Sequence, residues 1–322
     1  MRALITGISG FVGSHLAEHL LQLGNWTVAG TVYGSGEQSI AHLRHKLKLY
    51  HAELSALGTV QGIVEDTRPD VIFHLAAQPI PSLSRIDPWF TLENNIRLQV
   101  NVLQAITQVV PHAFTLVVGS SEEYGQVSAE DLPLREDVPL RPASPYAVSK
   151  IAQDYLGLQY YLSHGVRAIR VRPFNHIGPR QRRGFVAPDF ASQIAEIEAG
   201  QRPPVMSVGQ LDVARDFSDV RDIVRGYVLA VERGVPGEVY NIGACEAHSV
   251  RELLEAMLAH ATRPIEIRQD PQRMRPVETP VIVGDCSRLR AQTSWEPQIS
   301  FDQTIKDVLE YWRHEVRSSR AL

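Results

Sequence analysis

The sequence of 322 residues predicts an α/β protein with a doubly wound parallel sheet and a smaller C-terminal lobe. Apolar runs of strand length alternate with segments of helical periodicity over residues 1–172, the order expected of a parallel sheet with helical crossovers. The run at 71–77 is apolar apart from one histidine, as is typical of a strand covered on both faces. Beyond residue 172 the alternation weakens while proline and glycine multiply, which indicates a second lobe.

Each element follows from its local pattern. The first strand, at 3–6, is an apolar run ended by glycine, and the helix at 12–23 carries apolar residues at helical spacing until Gly24 ends it. The same reasoning predicts strands at 26–33, 47–50, 71–77, 114–119 and 166–172, with one near 238–242 returning to the main sheet. Further helices are predicted at 58–65, 92–110 and 146–163. We expect a main domain at 1–178, with 213–243 returning to it, and a smaller lobe at 179–212 and 244–322.

Composition argues against several classes of protein. With 44% hydrophobic and 21% charged residues and a net charge of -4, the sequence shows neither a disordered tail nor a basic surface for nucleic acid. Its cysteines, Cys245 and Cys286, lie far apart and outside any metal-ligand pattern, so we expect neither a disulfide framework nor a metal site. A glycine motif begins at residue 7, leaving no room for a signal peptide, and no apolar run approaches the ~18 residues that span a bilayer. We therefore expect a cytoplasmic protein without a membrane partner.

Gly7, Gly10 and Gly13 form a GxxGxxG turn directly after the first predicted strand. Glycines here permit a tight turn and close backbone approach to a pyrophosphate, whose charge then lies at the positive end of the following helix. Three glycines alone also occur in ordinary tight turns. Their place at the first strand–helix junction favours a dinucleotide site of Rossmann type, in which Phe11 and Val12 also contact the cofactor.

The end of the second strand bears on the choice of cofactor. Most NAD sites place an Asp or Glu there, about 20 residues after the turn, to bind the adenine ribose. This sequence reads Thr-Val-Tyr-Gly-Ser at 31–35, and its next acidic residue is Glu37. The missing acid removes a charge that would repel a 2′-phosphate, although no arginine takes its place. NADP(H) is therefore the favoured cofactor, and NAD(H) is the open alternative.

Tyr146 and Lys150 are spaced i and i+4, so on a helix their side chains share one face. An ammonium near a phenol lowers the phenol pKa from about 10, which would make Tyr146 an acid or base near neutrality. The alternative is a core tyrosine beside a solvated lysine. Two observations favour the catalytic pair. Lys150 is one of only four lysines in a sequence that otherwise uses arginine, and Ser120 and Ser121 follow the fifth predicted strand, whose carboxyl end faces the same crevice.

Together these motifs resemble a known family. The glycine turn, Leu-Ala-Ala at 75–77, the serine pair and Tyr-Ala-Val-Ser-Lys at 146–150 are similar to extended short-chain dehydrogenases/reductases that act on nucleotide sugars. The resemblance implies that Tyr146 exchanges a proton with a sugar hydroxyl or ketone and that Lys150 binds the nicotinamide ribose. Ser120, with Ser121 as the alternative, would hydrogen-bond the reacting oxygen. The implied cofactor site comprises Gly7, Gly10, Phe11, Val12, Gly13, Glu53, Leu54, Leu75, Ala76, Ala77, Tyr146 and Lys150.

Segments at 120–125, 174–179, 215–217 and 275–278 are similar to the GDP-mannose branch of this family. That branch contains dehydratases of GDP-mannose and reductases of their product, GDP-4-dehydro-6-deoxy-D-mannose. The similarity implies that Asn175 lies near the sugar and diphosphate, that arginines bind the diphosphate or ribose and that Glu278 accepts from ribose hydroxyls. For each arginine the alternative is a solvated surface position. The implied site for a GDP-linked 6-deoxyhexose comprises Ser84, Glu122, Asn175, Val186, Arg215, Arg275 and Glu278.

Glu122 leaves the direction of the chemistry open. In the dehydratases a glutamate at this place removes a proton from C5 of the sugar, whereas in a reductase it would position substrate hydroxyls, and it can also be a loop carboxylate. Two departures favour the reductases. The segment 34–38 is short where the dehydratases carry an arginine- and serine-rich stretch, and Pro188-Asp189 stands where they carry an Arg-Lys pair. We therefore expect reduction of the C4 ketone, which gives GDP-D-rhamnose.

Other functions and the oligomeric state also follow from the resemblance. The first alternative function is a GDP-mannose 4,6-dehydratase, and less favoured are a nucleotide-sugar epimerase and a dinucleotide-sensing regulator without enzyme activity. The helices at 92–110 and 146–163 carry apolar residues on more than one face and correspond to the dimer contact of the family. A homodimer is therefore expected, with ordinary packing against the sheet as the alternative.

Overall fold

The computed structural model describes residues 1–34, 36–273 and 279–318. Its strands are β1 (Arg2–Thr6), β2 (Thr27–Val32), β3 (Leu47–His51), β4 (Val71–His74), β5 (Phe114–Val118), β6 (Arg167–Pro173), β7 (His176–Ile177), β8 (Val205–Val208), β9 (Ala214–Asp216), β10 (Ser218–Asp219), β11 (Val239–Ile242), β12 (Ala247–Ser249), β13 (Glu266–Gln269) and β14 (Val281–Ile282). Its α-helices are α1 (Phe11–Gln22), α2 (Leu57–Thr67), α3 (Pro81–Ile86), α4 (Pro88–Val109), α5 (Pro145–His164), α6 (Val186–Glu198), α7 (Val220–Arg233), α8 (Val250–Ala259), α9 (Ser287–Thr293) and α10 (Phe301–Ser318).

Seven strands form the central sheet, in the order β11-β6-β5-β4-β1-β2-β3. Every neighbouring pair in it is parallel. One face is covered by α1 and α7, whose Leu16, Leu20 and Val224 join one buried cluster with the strands. The other face is covered by α2, α4 and α5, through side chains such as Val64 and Val102. Because helices pack on both faces, the prediction of a doubly wound parallel sheet is confirmed.

A separate buried cluster forms the smaller lobe. It joins α6, α8 and α10 through side chains such as Ile194, Leu254 and Leu309, beside the parallel pair of β8 and β13. The segment 220–242 belongs to the central sheet instead, because α7 packs on α1 and β11 pairs in parallel with β6. The chain therefore leaves the sheet for the lobe, returns and leaves again. Among the described residues, no helix has the length and apolar character needed to cross a membrane.

The structure contains two elements that the sequence analysis does not predict, one after β2 and one before α4. A 3-10 helix spans Gln38–Lys46, where few apolar residues occur, and Ser39 anchors it by donating from its hydroxyl to the carbonyl of Ser9. The short α3 precedes α4, which begins before the predicted residue 92. The carboxylate of Asp87 caps α4 by accepting from the amide of Phe90, and this contact explains the earlier start.

Thr6 ties the carboxyl ends of β1 and β4 together. Its hydroxyl oxygen accepts from the amides of Leu75 and Ala76, each over 3.1 Å, and lies 2.8 Å from His74 Nδ1. Because its own hydrogen remains to be donated, the buried His74 must accept it at an unprotonated Nδ1. These bonds end β4 at His74 instead of at the predicted residue 77. Burial and, to a smaller extent, the charge of Lys150 lower the pKa of His74 to about 3.

Acid is expected to destabilise the fold through His74. Its folded-state pKa of about 3 lies below the ~6.5 of an unfolded histidine, so unfolding takes up a proton as the pH falls from about 6.5 towards 3. Through this one group the free energy of unfolding should fall by up to about 1.4 kcal/mol per pH unit. Urea denaturation of the wild type and a His74→Gln variant at several pH values measures the effect. The wild type should show the steeper dependence, and equal slopes would contradict this role of His74.

Candidate active site

A cleft of about 1270 Å³ lies at the carboxyl ends of the central strands and extends to the smaller lobe. It exceeds the ~300–1,000 Å³ typical of a pocket for one small ligand, so it has room for two extended ligands. The predicted site residues that line it are Gly7, Gly10, Phe11, Val12, Gly13, Glu53, Leu54, Leu75, Ala76, Ala77, Ser120, Glu122, Tyr146, Lys150, Asn175, Val186 and Arg215. Arg275 and Glu278 lie outside the described residues.

The glycine turn at one wall has no space for side chains. Gly7 adopts a left-handed φ of +70°, which disfavours any residue with a Cβ. A Cβ on Gly13 would lie 2.3 Å from the carbonyl oxygen of Gly7, and one on Gly10 would lie 3.1 Å from the same atom. The amide of Gly10 donates to that oxygen over 2.9 Å and closes the turn at the start of α1. The backbone here is therefore open to close approach by a phosphate group, as dinucleotide binding requires.

The end of the cleft beside β2 is lined by Tyr33 and Ser39. Glu37, the acid that the sequence places nearest, pairs with Arg44 Nε at 3.1 Å and with His51 Nε2 at 2.8 Å. Its side chain is not part of the cleft wall. The carboxylate is therefore held by two other groups and does not serve this end of the cleft.

Ser120, Tyr146 and Lys150 meet at the centre of the cleft. Tyr146 and Lys150 are one turn apart on α5, and Ser120 follows β5. The Ser120 hydroxyl is hydrogen-bonded to the Tyr146 phenol, and it also accepts from the amide of Glu122 over 3.2 Å. Lys150 Nζ donates to the carbonyl oxygen of Val118 over 2.9 Å and lies 5.9 Å from the centroid of the Tyr146 ring. This arrangement brings a phenol, a hydroxyl and an ammonium group together at one point.

The pKa of Tyr146 differs from the sequence expectation. Burial raises it above its ordinary value, the hydrogen bond with Ser120 lowers it, and the charges of Glu122 and Glu123 raise it further. The prediction that Lys150 lowers this pKa is wrong for this arrangement. The ammonium is directed at a backbone carbonyl, and burial lowers its own pKa to about 8. The phenol therefore stays protonated at neutral pH, which suits a proton donor.

Three of the predicted substrate residues, Asn175, Val186 and Arg215, lie on the lobe side of the cleft. Asn175 precedes β7 and Val186 begins α6, and both side chains line the wall. Arg215, on β9, also lines it. Its Nη1 donates to the carbonyl oxygens of Ala214 and Thr279 over 2.8 and 3.2 Å. These bonds fix the position of this nitrogen of the guanidinium.

Ser84 departs from its predicted substrate contact. It is fully buried on α3 and is not part of the cleft wall. Its hydroxyl donates to the carbonyl of Pro81 over 2.7 Å and accepts from the amide of Tyr146 over 3.1 Å. An amide in the first turn of a helix has no partner within that helix. Ser84 therefore supports the start of α5 instead of binding a ligand.

Three cationic side chains of the cleft are missing from the sequence prediction: Arg180, Arg182 and Arg273. Arg180 follows Pro179 with a left-handed φ of +70°, and its guanidinium contacts Glu18 Oε2 at 2.7 Å and the carbonyl oxygen of Ser39 at 3.5 Å. It thus brings an arginine to the end of the cleft beside β2, where the sequence around the second strand contains none. The available signal is the arginine-rich segment 180–183, Arg-Gln-Arg-Arg, which resembles an ordinary loop because no helix or strand pattern surrounds it.

Comparison with known proteins gives consistent relatives. Residues 4–308 match the family described as GDP-mannose 4,6 dehydratase. GDP-6-deoxy-D-mannose reductase of Pseudomonas aeruginosa is 36% identical over 317 residues, which cover 98% of each chain. GDP-mannose 4,6 dehydratase of Cricetulus griseus is 28% identical over 340 residues, which cover 96% of this chain and 90% of that protein.

Solved structures are similar over the same length. The structure of RMD from Pseudomonas aeruginosa complexed with NADPH has a TM-score of 0.86 and 33% identity to this chain. The match covers 98% of this chain and 99% of that one. The resemblance found in the sequence motifs is therefore confirmed over 98% of the chain. This chain belongs to the GDP-mannose 4,6-dehydratase family, among the NAD(P)-dependent extended short-chain dehydrogenases/reductases.

Proposed function

We propose that this enzyme reduces the C4 ketone of GDP-4-dehydro-6-deoxy-D-mannose with NAD(P)H and forms GDP-D-rhamnose. The observation that carries the proposal is the Tyr146 phenol, which its raised pKa keeps protonated and which Ser120 hydrogen-bonds in the same cleft as the glycine turn. A ketone that accepts hydride develops negative charge on oxygen and needs a proton from such a donor. The 36% identity to a GDP-6-deoxy-D-mannose reductase, over 98% of the chain, supports the same direction.

In this proposal the side chains of the cleft bind and protonate the sugar. Tyr146 and Ser120 hydrogen-bond the C4 oxygen, and Tyr146 gives its proton to that oxygen as negative charge develops. The Lys150 ammonium, held by the carbonyl of Val118, would bind the hydroxyls of the nicotinamide ribose. Glu122, in the same wall, orients sugar hydroxyls.

The cleft fits a dinucleotide because Gly7, Gly10 and Gly13 form a tight turn that has no room for a Cβ and leaves its backbone open to a phosphate group. NAD(P)H, when bound, supplies the hydride. NADP(H) is favoured because Glu37 is engaged by other groups, and because Arg180, which is paired with Glu18, places its guanidinium beside Ser39 at the ribose end. The RMD structure complexed with NADPH supports this choice. Comparing KM values for NADPH and NADH tests it, with the lower value expected for NADPH.

Arginines of the cleft match the charge of a nucleoside diphosphate. Arg182, Arg215 and Arg273 line the cleft, and a guanidinium fork suits phosphate oxygens. Arg275 and Glu278 follow Arg273 closely in the sequence, and we retain them as proposed contacts of the diphosphate and the ribose. A GDP-linked 6-deoxyhexose would thus extend from these groups to Ser120.

A GDP-mannose 4,6-dehydratase is the second candidate, and Glu122 is the observation that favours it. This carboxylate lines the cleft and lies close enough to Tyr146 to raise the pKa of the phenol. Dehydration needs a base at C5 of the sugar, and a carboxylate in this place would meet that need. The 28% identity to a dehydratase of Cricetulus griseus is consistent with either activity.

Two incubations separate these candidates. In the first, purified protein receives GDP-mannose and the products are examined for a 4-keto sugar. In the second it receives GDP-4-dehydro-6-deoxy-D-mannose and NADPH, and the absorbance of NADPH is followed. We expect only the second mixture to react. Reaction in the first alone would make the enzyme a dehydratase, and reaction in neither would refute both proposals.

The rate of ketone reduction should fall above about pH 8, where Lys150 loses its proton. Below its pKa, which burial lowers to about 8, the ammonium is present, and Tyr146 stays protonated on both sides of that value. The pH profile of kcat/KM reports such groups of the free enzyme. In a Lys150→Arg variant the decrease near pH 8 should disappear, because a guanidinium does not titrate there. A decrease that persists in this variant would belong to another group.

A homodimer through α4 and α5 is also part of the proposal. Val148, Tyr155 and Leu162 are 44%, 52% and 72% exposed on α5. They follow one another at the seven-residue spacing that places side chains on one face of a helix. An apolar stripe of this kind is typical of contact between two helices.

Tyr155→Glu should convert the dimer to a monomer, because it places a charge in the middle of this stripe. Light scattering at micromolar concentration measures the mass of the wild type and of the variant. Since Tyr155 is exposed, the variant should keep the far-UV circular dichroism spectrum of the wild type, and a loss of helical signal would point to misfolding instead. A wild type with the mass of a monomer would contradict the proposed dimer.

A further inference from the structure

Behind Ser120 lies a line of buried charged groups that the proposed mechanism does not use. The amide of Ser120 donates to Glu123 Oε1 over 2.8 Å. Glu123 Oε2 lies 3.1 Å from Arg172 Nε, and both side chains are buried. Arg172 donates from Nε and Nη2 to Asp154 Oδ2, over 3.0 and 2.7 Å. These contacts run without interruption from the serine to the middle of α5.

Asp154 lies on α5, the helix that also carries Tyr146 and Lys150. Tyr146, Lys150 and Asp154 follow one another at intervals of four residues, so they share one face of α5, and all three are buried. Ser120 belongs to a different element, since it caps the short 3-10 turn Ser121–Glu123. The distance between the serine hydroxyl and the tyrosine phenol thus depends on how these two elements are joined.

The backbone next to Ser120 leaves room for the side-chain carboxyl of Glu123. A Cβ on Gly119 would lie 2.2 Å from Glu123 Oε1, so only glycine leaves the carboxyl room to reach the Ser120 amide. Burial raises the pKa of Glu123 well above its usual range, and the neighbouring Asp154 raises it further, whereas Arg172 lowers it. A carboxyl that keeps its proton can accept from the Ser120 amide with one oxygen and donate to Asp154 with the other.

We propose that Glu123, Arg172 and Asp154 form a positioning triad that fixes the Ser120 hydroxyl relative to Tyr146. The inference rests on the proposed function, in which these two groups bind the same oxygen. A buried ionic cluster seldom stabilises a fold more than apolar side chains of the same volume, because each charge loses its hydration. The positioning triad instead holds the Ser120 hydroxyl at a fixed place relative to Tyr146. A misplacement of a catalytic group by about 1 Å can lower a catalytic rate about 100-fold.

Arg170 and Arg172 provide a matched comparison. Both are buried on β6 and both donate to Asp154, Arg170 from Nη1 to Oδ1 over 2.8 Å, but only Arg172 also pairs with Glu123. Both Arg170→Gln and Arg172→Gln should lower the melting temperature. Only Arg172→Gln should lower kcat for ketone reduction, by about tenfold or more, with the KM for NADPH changed less than about twofold. Equal losses of kcat per folded molecule in the two variants would overturn the proposal.

A second pair of variants decides the question if Arg172→Gln does not fold. Glu123→Gln keeps an oxygen for the Ser120 amide and a donor for Asp154, so its kcat should stay near that of the wild type. Glu123→Leu has similar size but lacks both groups, and its kcat should fall by about tenfold or more. Equal kcat in the folded forms of these two variants would count against the positioning triad.

Amide hydrogen exchange separates this inference from the proposed function, because it needs no substrate. In Arg172→Gln and Glu123→Leu the Ser120 amide should exchange faster than in the wild type, since its acceptor is displaced or removed, whereas Arg170→Gln should leave it unchanged. If the wild type does not reduce the keto sugar, the proposed function fails and this measurement still decides the positioning role. Faster exchange confined to the first two variants would support the triad, and unchanged exchange would overturn it.

Discussion

Tyr146→Phe is expected to lower kcat for ketone reduction by about 10³, within the ~10²–10⁴ that general acid catalysis contributes. The Tyr146 hydroxyl is the proposed proton donor to the C4 oxygen, and its raised pKa keeps the proton in place at neutral pH. Phenylalanine fills the same volume, and the ring is nearly buried, so the fold should be retained. NADPH oxidation under single-turnover conditions measures the loss. A parallel fluorescence titration should give a Kd for NADPH within about twofold of the wild type.

Tyr160 on the same helix provides the control. Its ring packs against His164 with centroids 5.0 Å apart, and it is not part of the cleft wall. Tyr160→Phe removes an identical hydroxyl from α5 and should leave kcat unchanged. Undiminished turnover by Tyr146→Phe would exclude the phenol as the proton donor, whereas equal losses in both variants would indicate damage to α5.

The central sheet and the catalytic pair could be predicted because their signals are local. A strand such as β4 is a short apolar run, and α5 shows helical spacing over many residues, so each pattern is complete within one element. Tyr146 and Lys150 are brought together by that helix alone. The glycine turn lies between two adjacent elements, β1 and α1, and its spacing carries the steric requirement that the structure shows at Gly13.

Contacts between segments that lie far apart in the sequence could not be predicted, because no local sequence pattern indicates them. The Ser84 hydroxyl meets the amide of Tyr146 only because α3 packs beside α5. Cys245 and Cys286, separated in sequence, both have their sulfur 3.5 Å from the carbonyl oxygen of Gly243. The pKa of Lys150 depends on burial, which no spacing rule contains. The smaller lobe is assembled from short strands such as β8 and β13, whose pairing joins segments far apart in the chain.

Gly13→Ala is expected to weaken the binding of NADPH by about 100-fold. The new Cβ would lie 2.3 Å from the carbonyl oxygen of Gly7 and 2.9 Å from Ile8 Cα, and both are backbone atoms that cannot rotate away. The turn must therefore shift, and amides that face the pyrophosphate lose their alignment. The loss of two such charge-assisted hydrogen bonds, at about 1.5 kcal/mol each, raises the Kd for NADPH by about 100-fold. Fluorescence titration with NADPH measures this change, and urea denaturation measures the accompanying loss of stability.

Gly62→Ala is the matched control, because Gly62 also lies within a helix, α2, but has nothing within 4 Å of the position of a Cβ. Alanine is the better helix former by about 0.5–1 kcal/mol, so this variant should be slightly more stable than the wild type and bind NADPH equally well. The same chemical change is thus expected to act with opposite sign at two helical positions. The difference between them isolates the steric demand of the turn from helix propensity. If Gly13→Ala bound NADPH as tightly as Gly62→Ala, the turn at the start of α1 would not be the pyrophosphate site.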